Sequence, residues 1–237
     1  PSAPLAEPSE REAPIHDQRL PLHVSRQRRG EEQRGAGHVA RLPEAAERDR
    51  AQRALASDRA QRLGTNHPRT LIVRQNLAGT LIEMGEFDEA KQILDEVIAE
   101  GTAQWGPQHP STLSSRNGLA TLEFTRGDYE AAARIAGEVL DDGRAVFPQS
   151  EPFLLFPANT RAVSLASLGR WDEAVPQMRW LVEHGERIYG PEHPYTLSLR
   201  AGLANALGET GAMAAAVAEL KDVLEIQRRV AGENAAG

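Results

Sequence analysis

Read for the spacing of apolar positions alone, the chain changes character near residue 63. Before it, large aliphatics are few, and Pro1, Pro4, Pro8, Pro14 and Pro21 punctuate the first forty positions. After it, apolar residues recur at intervals of three and four, the period of a helix with one buried stripe. The alternation of two that marks a half-buried strand is absent, so the pattern predicts an all-helical fold.

The helical part repeats itself. Leu63, Gly64, His67, Pro68, Thr70 and Leu71 recur as Trp105, Gly106, His109, Pro110, Thr112 and Leu113, and again as Tyr189, Gly190, His193, Pro194, Thr196 and Leu197. A degenerate copy, Phe147 to Leu155, lies midway, with Glu151 and Pro152 where the others have His-Pro. Every step is 42 residues, and Gly85, Gly127, Gly169 and Gly211 keep it, as do Ala90, Ala132, Ala174 and Ala216. Such a unit buries its apolar face only by stacking on its neighbours, which predicts a solenoid.

Each unit reads as two helices. His-Pro-x-Thr suits a helix start, because proline at the first helical position forfeits no amide bond. The first helix is expected over about Thr70 to Met84, ending at Gly85 in a left-handed cap. Asp88, Asp128 and Asp172 are placed to cap or favour the second helix. Its buried stripe runs through Phe87, Ala90, Val97 and Ile98 and their counterparts. The alanine column implies a close seam between the two helices. The expected organisation is a flexible Pro/Arg-rich segment over 1–40 and a solenoid over 41–237. The solenoid divides into a half-repeat at 44–62, repeats at about 63–104, 105–146, 147–188 and 189–230, and the start of a fifth at 231–237. That last fragment suggests a chain cut from something longer.

Charge sharpens the division. The formal net charge is −7 and there is no cysteine, which excludes thiolate metal sites, cysteine nucleophiles and a disulfide scaffold. Residues 1–62 are slightly basic and the remainder strongly acidic. Arg26, Arg28, Arg29 and Arg34 in the arm are interrupted by Glu31 and Glu32, so a nucleic-acid partner is a weak expectation. No apolar run reaches the length of a membrane span, and the first thirty residues hold no apolar h-region, so they are not expected to act as a secretory signal. No phosphate-cradling glycine loop and no Ser-His-Asp set is visible. His67, His109 and His193 stand one repeat apart, roughly 10 Å per helix layer, too far to share a metal. No metal or cofactor is expected.

Asn76-Leu77-Ala78, Gly85 to Ala90, Arg116 to Ala120, Gly127 to Ala131 and the Gly-x-x-His-Pro-x-Thr-Leu junctions resemble the tetratricopeptide repeat. The form is the 42-residue one of kinesin light chains and many bacterial repeat proteins. The resemblance implies a right-handed α-solenoid of antiparallel helix pairs and a non-enzymatic, cytoplasmic, bacterial protein-binding scaffold. In bacteria such repeats often form the sensory or docking arm of a larger signalling or regulatory protein. The resemblance also implies that the first helices line a groove for a peptide or partner segment. The candidate groove residues are Arg74, Gln75, Asn76, Gly79 and Glu83 in the first repeat and Arg116, Asn117, Thr121 and Thr125 in the second. They continue as Asn159, Val163 and Ser167 in the third and Arg200, Asn205 and Glu209 in the fourth. Asparagine amides can both donate to and accept from an extended backbone, and arginines can grip a carboxylate. Pairing with neighbouring acids is the alternative for each arginine.

The third repeat departs from the pattern. Pro157 falls inside its first helix, which is therefore expected to start late, leaving Phe153, Leu154, Leu155 and Phe156 as an apolar wedge. That wedge is read either as a specificity element, as part of a pocket in a small-ligand-binding or enzymatic solenoid, or as filler between repeats. Solenoid ends without polar caps also allow a homodimer.

Overall fold

The computed structural model describes residues 42–148 and 152–235, and the arm over 1–40 lies outside them. Among the described residues the chain forms nine α-helices and no strand. They are α1 (Leu42–Leu63), α2 (Pro68–Met84), α3 (Phe87–Trp105), α4 (Pro110–Arg126), α5 (Tyr129–Val146), α6 (Leu155–Ser167), α7 (Trp171–Tyr189), α8 (Pro194–Glu209) and α9 (Met213–Ala235). A single 3-10 turn, Pro152–Leu154, precedes α6. Consecutive helices pack against each other along the whole stack, and four pairs, α2/α3 to α8/α9, follow the 42-residue register.

The helix starts are built as the spacing predicts, with a cap that the histidines supply themselves. His67, His109 and His193 sit in extended backbone just before α2, α4 and α8, with proline at the first helical position. In each, Nδ1 accepts the backbone N–H two residues on, from Arg69, Ser111 and Tyr195, at 3.2 Å. One otherwise orphaned amide of the first turn is thereby satisfied. The first helices of repeats one and two end at Gly85 (φ 84°) and Gly127 (φ 98°), in the left-handed region that glycine enters without strain. The three aspartates divide into two positions. Asp128 is a true N-cap, its Oδ1 accepting from the Ala131 amide at 3.0 Å, whereas Asp88 and Asp172 lie inside the first turn.

The core runs through the stack as repeated columns. Ala90, Ala132 and Ala174 are fully buried at the seam between the helices of each pair. A second seam, between a second helix and the next repeat, rests on Gly101, Gly143 and Gly185. A Cβ at these positions would come within 2.9–3.0 Å of Thr112, Leu154 or Leu199. First helices also touch one another, α2 on α4 and α4 on α6, while second helices pack chiefly on first helices.

The third repeat starts late, at Leu155, three residues after the aligned starts at Pro68, Pro110 and Pro194. Pro157 thus falls in the first turn, where its missing N–H has no intrahelical partner to lose. The wedge reading needs correction. Leu154 and Leu155 are 0% and 1% exposed, Phe153 packs on Phe147 with ring centroids 5.3 Å apart, and Phe156 keeps a half-exposed ring. Phe153, Leu154 and Leu155 fill the space between repeats instead of lining a pocket. The fifth-repeat reading also changes. The helix α9 passes straight through Gly232, where the aligned Gly64, Gly106 and Gly190 follow the ends of α1, α3 and α7.

Candidate functional site

On the first helices, positions at intervals of three and four share the face that no neighbouring helix covers. In α2 this face is Ile72, Asn76, Gly79 and Glu83, and in α8 it is Ser198, Gly202, Asn205 and Glu209; all are exposed or half-exposed. The middle of the wall is more closed. Gly118 and Thr121 are half-buried, Val163 is 7% exposed, and Phe156 and Ser167 are half-buried. The result is a wall with an exposed amide near each end and a small apolar patch in the third repeat.

The expected arginines are not on that wall. Arg74, on the opposite face of α2, donates from Nη1 to Glu100 at 2.8 Å and from Nη2 to Glu96, and its side chain is only 16% exposed. Arg116 repeats the arrangement with Asp142 at 2.6 Å and Glu138 at 3.7 Å. Arg200 is bound to Glu219 and lies 3.7 Å from Asp222. Each arginine therefore ties a first helix to the second helix of its own repeat. The hydrogen bond from Arg116 holds the Asp142 carboxyl below its ordinary range, and the one to Glu219 raises the Arg200 guanidinium. These cations are already neutralised and do not present a grip for a ligand carboxylate.

The asparagines fall into three columns. Asn76 and Asn205 are exposed on the wall. Asn117 is 4% exposed and shares its column with Gln75, which is 8% exposed. Gln75 is an inter-repeat tie, with Nε2 donating to Ser114 at 2.7 Å and Oε1 accepting from Ser115 at 3.2 Å. Asn159, in that same column, is half-buried. Thr121 donates back to the Asn117 carbonyl at 3.1 Å. Of the predicted set, the wall therefore brings together Asn76, Thr121, Val163 and Asn205, edged by Gly79, Glu83, Thr125, Ser167 and Glu209. Ile72, Ser198 and Gly202 join them without having been predicted, whereas Gly118, in the Asn76 column, faces Leu94 of α3. The stripe through Asn76, Gly79 and Glu83, extended back one turn and carried forward in steps of 42, reaches these three but also Ser114 and Thr160, which are buried.

The third repeat replaces the ion cluster as a unit. Ala158 stands in the arginine column, and Trp180 and His184 stand where repeats one and two have their two acids. Trp180 and His184 stack at 3.9 Å between ring centroids, His184 Nδ1 lies 2.9 Å from the Trp180 carbonyl, and the Arg144 guanidinium sits 5.6 Å above the Trp180 ring. Removal of the arginine and loss of both carboxylates go together, so no charge is left buried without a partner.

Residues 155–229 match the tetratricopeptide repeat family, and a second description of the same repeat matches residues 70–111 and 112–150. No curated protein matches the chain. Among solved structures, a kinesin light chain-type protein of Podosopora anserina with nearly identical TPR-like repeats is 23% identical. The match covers 81% of this chain and 92% of that one, with a TM-score of 0.64. BtubC (BKLC) from P. vanneervenii is 17% identical over 82% of this chain and 75% of its own, with a TM-score of 0.62. Both likenesses are of fold. No helix of the described residues is long and apolar enough to cross a membrane.

Proposed function

Given that the chain belongs to the tetratricopeptide repeat family, we propose that it is a non-enzymatic scaffold that holds a peptide or partner segment against the exposed wall of its first helices. The observation that supports this reading is a pair of open first-helix faces, Ile72, Asn76, Gly79 and Glu83 on α2 and Ser198, Gly202, Asn205 and Glu209 on α8, with half-buried Thr121, Phe156 and Ser167 between them. Amides that donate and accept are suited to an extended backbone, whose alternate groups point both ways. Arg74, Arg116 and Arg200 give no grip for an acidic ligand, because all three are neutralised behind the wall. The bound segment therefore presents no carboxylate to this wall, and it sets an apolar side chain over Phe156. A docking or sensor role within a larger regulatory protein is consistent with this scaffold.

The test is capture from lysate by the wild-type chain and by the Asn76→Ala/Asn205→Ala variant, read by mass spectrometry. A partner retained by the first and lost by the second supports the wall as the binding surface. A partner retained equally by both places binding elsewhere and overturns it.

A further inference from the structure

The three junctions between complete repeats follow one plan and are filled differently. At the third, Tyr189 at the end of α7 is held on two sides, by His193 at 4.9 Å between ring centroids and edge-on by Tyr195 at 5.5 Å. At the second, Phe147 meets Phe153 at 5.3 Å. At the first, Trp105 at the end of α3 has His109 at 4.8 Å, but Ser111 stands in the column of Phe153 and Tyr195. Trp105 has a histidine on one side, as Tyr189 does, and lacks the second ring.

A pocket lies where that ring would be. Leu71, Ile72, Val97, Gly101, Trp105 and Ser111 line about 210 Å³, its open mouth included, and of these Ile72, Trp105 and Ser111 reach solvent. At the second junction Phe153 occupies the corresponding space, its ring coming within 3.5 Å of the place where a Cβ on Gly143 would lie. At the third, Leu199 comes within 2.9 Å of the same place on Gly185, and Leu199 also has a serine, Ser115, as its counterpart at the first. The polar groups beside the pocket are already engaged. Ser115 donates to Gln75 Oε1 at 3.2 Å and lies 3.1 Å from the Ser111 carbonyl, and Gln75 Nε2 donates to Ser114. The open side of Trp105 therefore borders aliphatic side chains, and it takes a ring without stripping a polar group of its partner.

Resting on the reading of the first-helix wall as the surface that holds a segment, we propose that this pocket takes an aromatic side chain of that segment, its ring set against Trp105 as Tyr195 is set against Tyr189. Edge-to-face aromatic pairs gain beyond the area they bury, and Trp105 offers the apolar surroundings for one. Ile72 belongs both to the open face of α2 and to the pocket lining, so a segment lying along that face reaches the pocket with a side chain.

The probes are N-acetyl-phenylalanine amide and N-acetyl-alanine amide, titrated into the isotope-labelled full chain. The readout is the indole N–H signals of Trp105, Trp171 and Trp180, the first assigned with Trp105→Phe. The phenylalanine amide is expected to shift the Trp105 signal saturably, at least fivefold more tightly than the alanine amide, and to leave Trp171 and Trp180 in place. Ser111→Phe supplies the ring from the chain itself and should abolish the shift. Ser111→Leu, which fills the space without a ring, should abolish it as well, both with helical content unchanged in circular dichroism. Asn76→Ala/Asn205→Ala should bind the phenylalanine amide as the wild type does, so that failure of the pocket and failure of the wall are read separately. No saturable shift at Trp105, equal shifts from the two amides, or a shift that survives both serine variants overturns the proposal.

Discussion

The second and third repeats solve one packing problem in two ways. Both must hold a first helix to its own second helix at the same register. Repeat two does it with a charge cluster, Arg116 between Glu138 and Asp142, and a histidine cap at His109. Repeat three has no arginine, a Trp180–His184 stack in place of the acids, and a 3-10 turn leading into its first helix without a side-chain cap. Where Thr112 lies buried in repeat two, repeat three buries Leu154. Polar fastening has been exchanged for apolar filling, and the exchange keeps both arrangements free of an uncompensated charge.

The comparison breaks most sharply at Ala158. Ala158→Arg places a cation at a site only 1% exposed, facing aromatic rings instead of carboxylates, and is expected to cost about 3–5 kcal/mol. Adding Trp180→Glu and His184→Asp should recover most of that loss in urea denaturation. If the triple variant is no more stable than the single one, the two clusters are not exchangeable units. Next in size, Leu154→Ala removes a fully buried side chain and should cost about 2–5 kcal/mol, against less than about 1 kcal/mol for Thr112→Ala at the aligned position. Equal losses would mean that the two junctions are packed alike.

Overpacking the alanine seam comes third. Ala132→Leu should cost about 1–3 kcal/mol, since Ala132 is fully buried between α4 and α5, and thermal melting will read it. His109→Ala should cost about 1 kcal/mol by orphaning the Ser111 amide, an effect with no counterpart in repeat three. The smallest effect is in pH. Asp142 is held below the usual carboxylate range by Arg116, so its stabilisation is complete above the unfolded value, about 3.9, and is lost as pH falls through the folded value. Arg116→Ala should flatten the acid limb of the stability curve. An unchanged limb would show that the pair is not linked to folding.

The repeat was legible because helix period and glycine placement are local properties. Gly85 and Gly127 mark stops, His-Pro marks starts, and a step of 42 aligns them without reference to any contact. The ion clusters were within reach too, since Glu96 and Glu100 follow Arg74 by the same 22 and 26 residues as Glu138 and Asp142 follow Arg116. The wall was less legible. Asn76 and Asn117 differ by one residue in register, which turns a side chain by about 100° on a helix and moves it from the open face to the inter-repeat seam.

The sequence by itself determined the helix pairs, their phase and two buried columns, those of Ala90 and Val97, because these follow from periodicity and from what proline and glycine permit, whereas the columns of Phe87 and Ile98 end exposed at Met213 and Leu224. Only the tertiary structure decided which polar columns were fastened and which were free. Arg200 and Asn205 are both polar residues on one helix, but Glu219 and Asp222 approach the first while no neighbouring helix covers the second. That difference depends on which helix lies opposite, a relation between segments distant in the chain, and no local pattern carries it.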